Sequence, residues 1–67
     1  MITVQVNQKE HKIAPATTVV NLIEQLKIQT NGIAIAINNQ VVKKTDWSAQ
    51  QLQQNDVVLI IKSTQGG

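Results

Sequence analysis

A chain of 67 residues without a single cysteine has to be held together by its hydrophobic core alone. Disulfide bridges are excluded, and the presence of only one histidine argues against a structural zinc site. A chain of this length buries only about 60% of its unfolded surface, so it forms one domain at most. Hydrophobic residues make up 42% of the sequence, mainly Ile, Val and Leu, and Trp47 is the only aromatic residue. This bias towards β-branched residues favours strands.

Apolar residues recur with two different periods in the first half of the chain. Residues 2–6 alternate apolar and polar side chains, which predicts a strand, and residues 11–14 can return as a second strand. Pro15 ends this hairpin, and Thr17 or Thr18 can cap a helix of about ten residues. The apolar positions of that helix follow the spacing of a single helix face: Val19, Leu22, Ile23 and Leu26.

The second half of the chain predicts three further strands. The Asn31-Gly32 pair forms a turn before residues 33–37, which alternate Ile with Ala, and residues 41–42 can form a short strand. Residues 47–54 are expected to form an irregular connection with a helical turn. The continuous apolar run of residues 57–61 is expected to be a central strand.

This order of elements predicts an α+β domain over residues 1–62. We expect a mixed sheet of four to five strands with one helix packed across one face, because the hairpin and the apolar last strand leave one apolar layer to cover. Residues 63–67 contain no large apolar side chain, so we expect them to form a flexible tail that ends in Gly66-Gly67.

Charge and hydropathy argue against two classes of partner. The net charge of +2 comes from lysines without any arginine, and one tryptophan cannot supply a series of stacking platforms, so nucleic-acid binding has little support. The longest apolar runs are far below the roughly 18 residues of a membrane span, and the N-terminus lacks the pattern of a signal peptide. We therefore expect a soluble, cytoplasmic protein.

The sequence offers little support for catalysis by its own side chains. A triad of His11 with a serine and an aspartate is disfavoured, because neither serine lies in a nucleophile-elbow pattern and so small a fold has little depth for a pocket. The four carboxylates lie in different predicted elements, so neither a metal cluster nor an acid–base pair is indicated. Trp47 is expected to plug the core, with an exposed partner-binding anchor as the alternative.

The feature with most chemical content is the Gly66-Gly67 ending. Five tail residues can extend at most about 17 Å beyond the last strand, and glycine presents a carboxylate with no side chain beside it. Such a tail can thread a narrow channel of another protein with Gln65, Gly66 and Gly67. The alternative is a frayed end without a function.

These features together resemble a known family. The hairpin, the helix, the Asn31-Gly32 turn and an apolar last strand followed by Gly66-Gly67 are similar to the ubiquitin-like β-grasp sulfur carriers. Within that group, residues 35–47 (IAINNQVVKKTDW) resemble the ThiS-type carriers of thiazole formation in thiamine biosynthesis, in which an Asn-containing turn, an apolar pair, a basic position and a tryptophan recur in this order. Two departures are Asn55-Asp56, where Gly-Asp is frequent, and Lys43-Lys44, where Pro-Arg is common.

The resemblance implies a mechanism that takes place on Gly67. An E1-like adenylyltransferase uses ATP and Mg²⁺ to form the Gly67 acyl-adenylate, and a cysteine desulfurase relay supplies sulfur to form a thiocarboxylate. Thiazole synthase then receives that sulfur. The resemblance further implies that the chain binds no cofactor or metal itself and is not an enzyme.

The resemblance also suggests a surface for the activating enzyme. If Val58 and Ile60 point to the helix, then Val57, Leu59 and Ile61 lie on the opposite face of the last strand as an apolar patch. We expect this patch to be a candidate docking surface.

Three other functions remain open from the sequence. A molybdopterin-synthase-type carrier would share the fold and the glycine ending, and a ubiquitin-like modifier would use the same adenylation but form an isopeptide bond. A β-grasp binding module would leave Gly66-Gly67 without a role. A small hydrolase has the least support.

Overall fold

The computed structural model describes residues 1–29 and 31–62, which form one five-stranded sheet and one α-helix. The elements follow in the order β1 (Ile2–Val6), β2 (Lys9–Ile13), α1 (Val19–Gln25), β3 (Ile33–Ile37), β4 (Gln40–Val42), a short 3-10 helix (Lys44–Asp46) and β5 (Val57–Lys62). The strand order across the sheet is β2-β1-β5-β3-β4, so the apolar run near the end of the chain is the central strand, as predicted. The sheet is mixed, because β1 and β5 are parallel and the other pairs are antiparallel.

Both hairpins turn in two residues. As a result, β2 and β4 begin earlier in the chain than the sequence predicts. Asn7 and Gln8 have φ values of 50° and 71°, and Asn38 and Asn39 have 51° and 71°. Two successive positive φ values are typical of type I′ turns, whose twist matches that of the strands they join. The second strand therefore begins at Lys9 rather than at residue 11, and β4 begins at Gln40 rather than at residue 41.

The helix covers one face of the sheet through the predicted apolar stripe. Val19, Leu22 and Ile23 are buried against the strands, and the Thr18 side chain caps the helix by accepting a hydrogen bond from the Asn21 backbone N–H at 3.2 Å. The buried side chains of the sheet and helix form one core cluster: Val4, Val6, Ile13, Val19, Leu22, Ile23, Ile35, Ile37, Trp47, Leu52, Val58 and Ile60.

The helix has seven residues rather than about ten, because a Schellman motif ends it. Lys27 takes a left-handed conformation with a φ of 56°, and its N–H donates to the Glu24 carbonyl at 3.1 Å. The Ile28 N–H donates to the Ile23 carbonyl at 3.2 Å. These two hydrogen bonds bind carbonyls of the last helical turn, and the helix ends at Gln25.

Trp47 plugs the core, as predicted. The helical turn begins before it, at the 3-10 helix Lys44–Asp46, and continues to Gln50, whose N–H donates to the Asp46 carbonyl at 2.9 Å. Trp47 is 3% exposed, and its Nε1–H donates to the Val42 carbonyl at 3.0 Å. The connection from Trp47 to β5 is tied to the start of the helix, because the Leu52 N–H donates to the Thr17 carbonyl at 2.8 Å. Burial of Trp47 rules out the alternative of an exposed anchor.

The two departures from the family pattern are compatible with the local backbone. Asn55 has a φ of 70°, in the left-handed region that glycine favours and asparagine tolerates. Lys43 has a φ of −64°, the value at which a proline would be locked. The Lys44 Nζ lies 6.0 Å from the centroid of the Trp47 ring, so a cation at this position stays next to the indole.

Two further properties concern the described residues only. None of their helices is long and apolar enough to cross a membrane. Within residues 1–29 and 31–62, no three His, Cys, Asp or Glu side chains are grouped so that they could hold a metal ion. The predicted tail, residues 63–67, lies outside the described residues, and the domain boundary at residue 62 stays a prediction.

Candidate functional site

The strand that leads to the tail is paired very differently along its two edges. On the β3 side, antiparallel pairing runs the length of β5, from Val58 opposite Ile37 to Lys62 opposite Ile33. On the β1 side, parallel pairing covers only the start of β5, where Val57 and Val58 lie beside residues 5–6. The second half of β5, which precedes residue 63, therefore depends on other contacts along this edge.

The side chains of β5 alternate between the core and the opposite face of the sheet. Val58 and Ile60 are 1% and 7% exposed, on the face that packs against the helix. Val57, Leu59 and Ile61 are 47%, 46% and 47% exposed. The three residues predicted for a partner surface thus share one accessible face, while their role in docking stays a prediction.

Neighbouring strands extend this accessible face. In one cross-strand row, Ala36 lies between Leu59 of β5 and Val41 of β4, and Val41 is 75% exposed. In the next row, Ala34 lies opposite Ile61. We refer to the combined surface as the outer apolar face. Its exposed residues are Ala34, Val41, Val57, Leu59 and Ile61, and Ala36, which is only 7% exposed, lies between Leu59 and Val41.

The outer apolar face ends at β1. There the residues on the same side of the sheet are Thr3 and Gln5, whose partners on β2 are Lys12 and Glu10. A polar border of this kind around an apolar area is typical of a protein interaction site.

Two asparagine side chains bind the main chain of β5, one from each hairpin turn. The Asn7 Oδ1 accepts a hydrogen bond from the Ile60 N–H at 2.8 Å, and the Asn7 Nδ2 donates to the Ile60 carbonyl at 3.3 Å. On the other edge, the Asn38 Oδ1 accepts from the Val57 N–H at 3.0 Å, and its Nδ2 donates to Asp56 Oδ1 at 3.0 Å.

The sequence predicts turns at these two asparagines but does not reveal their contacts with β5. The only signal was that asparagine stands at the first position of each turn. A contact with residues 53 or 19 positions further along the chain is not encoded in any local pattern.

An open groove of about 490 Å³ lies between β4 and the connection that leads to β5. Its lining is mainly polar and includes Gln40, Lys43, Asp46 and Gln53. Asp56 also lines it, but its two carboxylate oxygens already accept hydrogen bonds from the Asn38 side chain and the Gln53 N–H. The groove lies beside the start of β5, at the opposite end of that strand from the tail.

The structure separates two of the catalytic candidates, His11 and Asp46. His11 is on the edge strand β2, whereas Asp46 lines the groove beside β4 at the other edge of the sheet. A triad that combines these two residues is therefore excluded. Gln65, Gly66 and Gly67, the predicted tail site, lie outside the described residues.

Comparison with known sequences gives two findings. The model of the ThiS family matches residues 3–67 of this chain, a range that includes the tail. The Sulfur carrier protein ThiS of Escherichia coli (strain K12) is 34% identical over 61 residues, which are 91% of this chain and 92% of that protein.

Comparison with solved structures confirms the predicted β-grasp fold. The crystal structure of the thiamine biosynthesis protein ThiS from Geobacter metallireducens has a TM-score of 0.87 at 23% identity and covers 98% of this chain and 100% of that one. An NMR solution structure of a thiamine biosynthesis protein from the same organism has a TM-score of 0.77 at 22% identity, with coverage of 98% and 88%.

Proposed function

Because this chain belongs to the ThiS family, we propose that it carries sulfur as a thiocarboxylate on Gly67 and delivers it for thiazole formation in thiamine biosynthesis. The observation that carries this proposal is that the family match runs through residue 67 and so includes Gly66-Gly67. These glycines follow the central strand β5 after only Ser63, Thr64 and Gln65.

The chemistry of a terminal carboxylate explains why such a carrier needs an activating enzyme. The carboxylate is ionised at neutral pH, and its negative charge repels nucleophiles. In the proposed first step, a carboxylate oxygen of Gly67 attacks the α-phosphorus of ATP, and pyrophosphate leaves. The product is a mixed anhydride in which AMP has become a good leaving group.

The second step exchanges AMP for sulfur. Sulfide, which a thiol releases from a persulfide of the cysteine desulfurase relay while it is itself oxidised to a disulfide, attacks the acyl carbon of Gly67. AMP leaves with the C–O bond electrons, and the thiocarboxylate remains. Thiazole synthase then accepts this sulfur. The ATP and Mg²⁺ belong to the E1-like adenylyltransferase, so the carrier itself provides the reacting carboxylate and a surface for recognition but no catalytic side chain.

The reach of the tail decides where the activating enzyme has to bind. Five residues after Lys62 span at most about 17 Å, so an enzyme that holds Gly67 in its active site also lies close to the end of β5. The outer apolar face reaches that end, because Ile61 is next to Lys62, the last residue of β5. We therefore assign this face to the adenylyltransferase.

Changing the position of the carboxylate tests the proposal. Deletion of Gly67 moves the carboxylate back by about 3.5 Å, and one appended residue converts it into a peptide bond. Both variants are expected to release no pyrophosphate with the cognate adenylyltransferase and ATP, while their circular dichroism matches that of the wild type.

The same assay separates the proposal from its alternatives. Normal activation of a chain extended beyond Gly67 would contradict the proposal, and a wild-type chain that is not activated would favour a β-grasp binding module. Activated wild-type chain that supplies sulfur to thiazole synthase supports the thiamine pathway. Sulfur transfer only to a molybdopterin precursor, or isopeptide conjugates to other proteins, would favour the other carrier or a modifier.

A further inference from the structure

The second half of β5 extends beyond the end of β1, its parallel neighbour. The last parallel pair between β1 and β5 is Val6 with Val58, and the positive φ of Asn7 starts the turn to β2. The backbone nitrogen of Asn7 still takes part in the parallel pairing with β5, because its N–H donates to the Val58 carbonyl at 3.0 Å. Because β1 ends here, its backbone does not continue beside Ile60.

The Asn7 carboxamide takes the place of the missing peptide group. In a parallel ladder that continued, the carbonyl of residue 7 would accept the Ile60 N–H, and a later N–H of the same strand would donate to the Ile60 carbonyl. The observed contacts are the side-chain equivalents of both, with Oδ1 at 2.8 Å from the Ile60 nitrogen and Nδ2 at 3.3 Å from the Ile60 oxygen. One side chain therefore extends the ladder by one peptide unit.

We infer that Asn7 is a positioning residue for the carrier tail. It holds the last part of β5 in the plane of the sheet, so that the strand keeps a fixed position up to Lys62, its last residue. The inference rests on the proposed function, since a fixed strand end matters only if a partner has to receive the tail. A shift of about 1 Å in a reacting group can lower a rate about a hundredfold.

The two demands on this position explain why asparagine suits it. The backbone needs a residue that tolerates a φ of 50°, which glycine, asparagine and aspartate do best. The contact with Ile60 needs one acceptor and one donor on a short side chain, which only asparagine among these three provides. Aspartate keeps the acceptor, but it loses the donor and places a charge beside the Ile60 carbonyl.

The variants Asn7→Gly and Gln8→Gly form a matched pair. Both put glycine at a positive-φ position of the same exposed turn, so their effects on the backbone and on the unfolded chain are similar. Only Asn7→Gly removes a side chain that the structure shows bonded to β5. Asn7→Asp is a third variant, which keeps the hydrogen bond from the Ile60 N–H.

Amide hydrogen exchange measures the contact directly. In Asn7→Gly, the Ile60 amide is expected to exchange about five- to tenfold faster, while the Leu22 amide, which donates to Thr18 within the helix at 2.9 Å, keeps its wild-type rate. In Gln8→Gly both amides keep their rates. Equal acceleration of both amides in Asn7→Gly would mean global destabilisation and would overturn the inference.

Activation kinetics measure the consequence for the tail. At a temperature at which all variants are fully folded and with saturating carrier, Asn7→Gly is expected to lower kcat for pyrophosphate release about tenfold, with Gln8→Gly at the wild-type value and Asn7→Asp between them. A lower stability alone would not change kcat under these conditions. If wild type is activated and Asn7→Gly has the same kcat, the positioning role is refuted while the proposed function stands. If wild type is not activated, the proposed function and the positioning role are both refuted.

Discussion

Replacement of Leu59 by lysine tests whether the outer apolar face receives the activating enzyme. Leu59 is 46% exposed and lies beside Ala36 in the middle of this face. Full burial of a leucine contributes about 1.5–3 kcal/mol, so the half that is buried contributes on the order of 1 kcal/mol. The lysine stem can cover part of the same surface, and the unfolding free energy is therefore expected to fall by less than about 1 kcal/mol.

The expected effect on docking is much larger than the effect on folding. Leu59→Lys places an ammonium group in the centre of an apolar contact, where truncation of a central side chain alone costs about 2 kcal/mol or more. We expect kcat/KM for adenylation to fall at least about thirtyfold, mainly through a higher KM. Pyrophosphate release at a series of carrier concentrations is the assay.

A charge on the polar border is the matched control for this variant. Gln5→Lys adds the same charge on the same side of the sheet, at an exposed position of β1 that pairs with Glu10. Its activation kinetics are expected to stay within about threefold of wild type. Equal kinetics for Leu59→Lys and Gln5→Lys would refute the assignment of the outer apolar face.

Three further changes test the core, the helix end and the tail. Leu22→Ala removes a side chain that is 1% exposed and is expected to cost about 2–5 kcal/mol, measured by urea unfolding with Trp47 fluorescence; an unchanged midpoint would show that the helix face is wrongly assigned. Lys27→Gly relieves a left-handed lysine and is expected to raise the unfolding free energy by about 0.5–1 kcal/mol, whereas a lower melting temperature would contradict the Schellman motif. Gly66→Val is expected to abolish adenylation with an unchanged circular dichroism spectrum, because a β-branched side chain widens and stiffens the tail; normal pyrophosphate release would disprove a narrow channel.

The elements that the sequence predicted best are those whose pattern is local. Alternation of apolar and polar side chains placed β1 at residues 2–6, and alternation of Ile with Ala placed β3 at residues 33–37, as observed. The helix start was predictable to within one residue, because Thr17 or Thr18 could cap the apolar spacing that follows, and Thr18 is the cap. Each of these signals lies within a few residues of the element it defines.

The features that the sequence did not reveal depend on conformations or contacts that no local pattern encodes. The left-handed Lys27 ends the helix early, and lysine has no special preference for that conformation. The continuous apolar run of residues 57–61 predicted a central strand, but it did not show how far the outer side chains are exposed. The strand is central, but every second residue is about half exposed, which fits the proposed use of that face for docking. The Asn7 contact with Ile60 joins two ends of the chain and needed the fold to become visible.

The candidate site was predictable in part. The sequence predicted which β5 residues share the face opposite the helix, because side chains in a strand alternate strictly. It also singled out Gly66-Gly67, since no packing role explains a glycine pair after an apolar strand. It could not predict that Ala34, Ala36 and Val41 continue the same face, because that depends on strand order and register.

The most direct test of the central claim is the intact mass of this chain after reaction with its activating enzyme. Untagged protein is incubated with the cognate adenylyltransferase, ATP, Mg²⁺ and the sulfur relay, and the product is fragmented to locate the change. We predict that one oxygen is replaced by sulfur, that the replacement is on Gly67, and that Gly67 deletion prevents it. An unchanged mass in a reaction that consumes ATP, or a sulfur atom located on any other residue, would contradict the account.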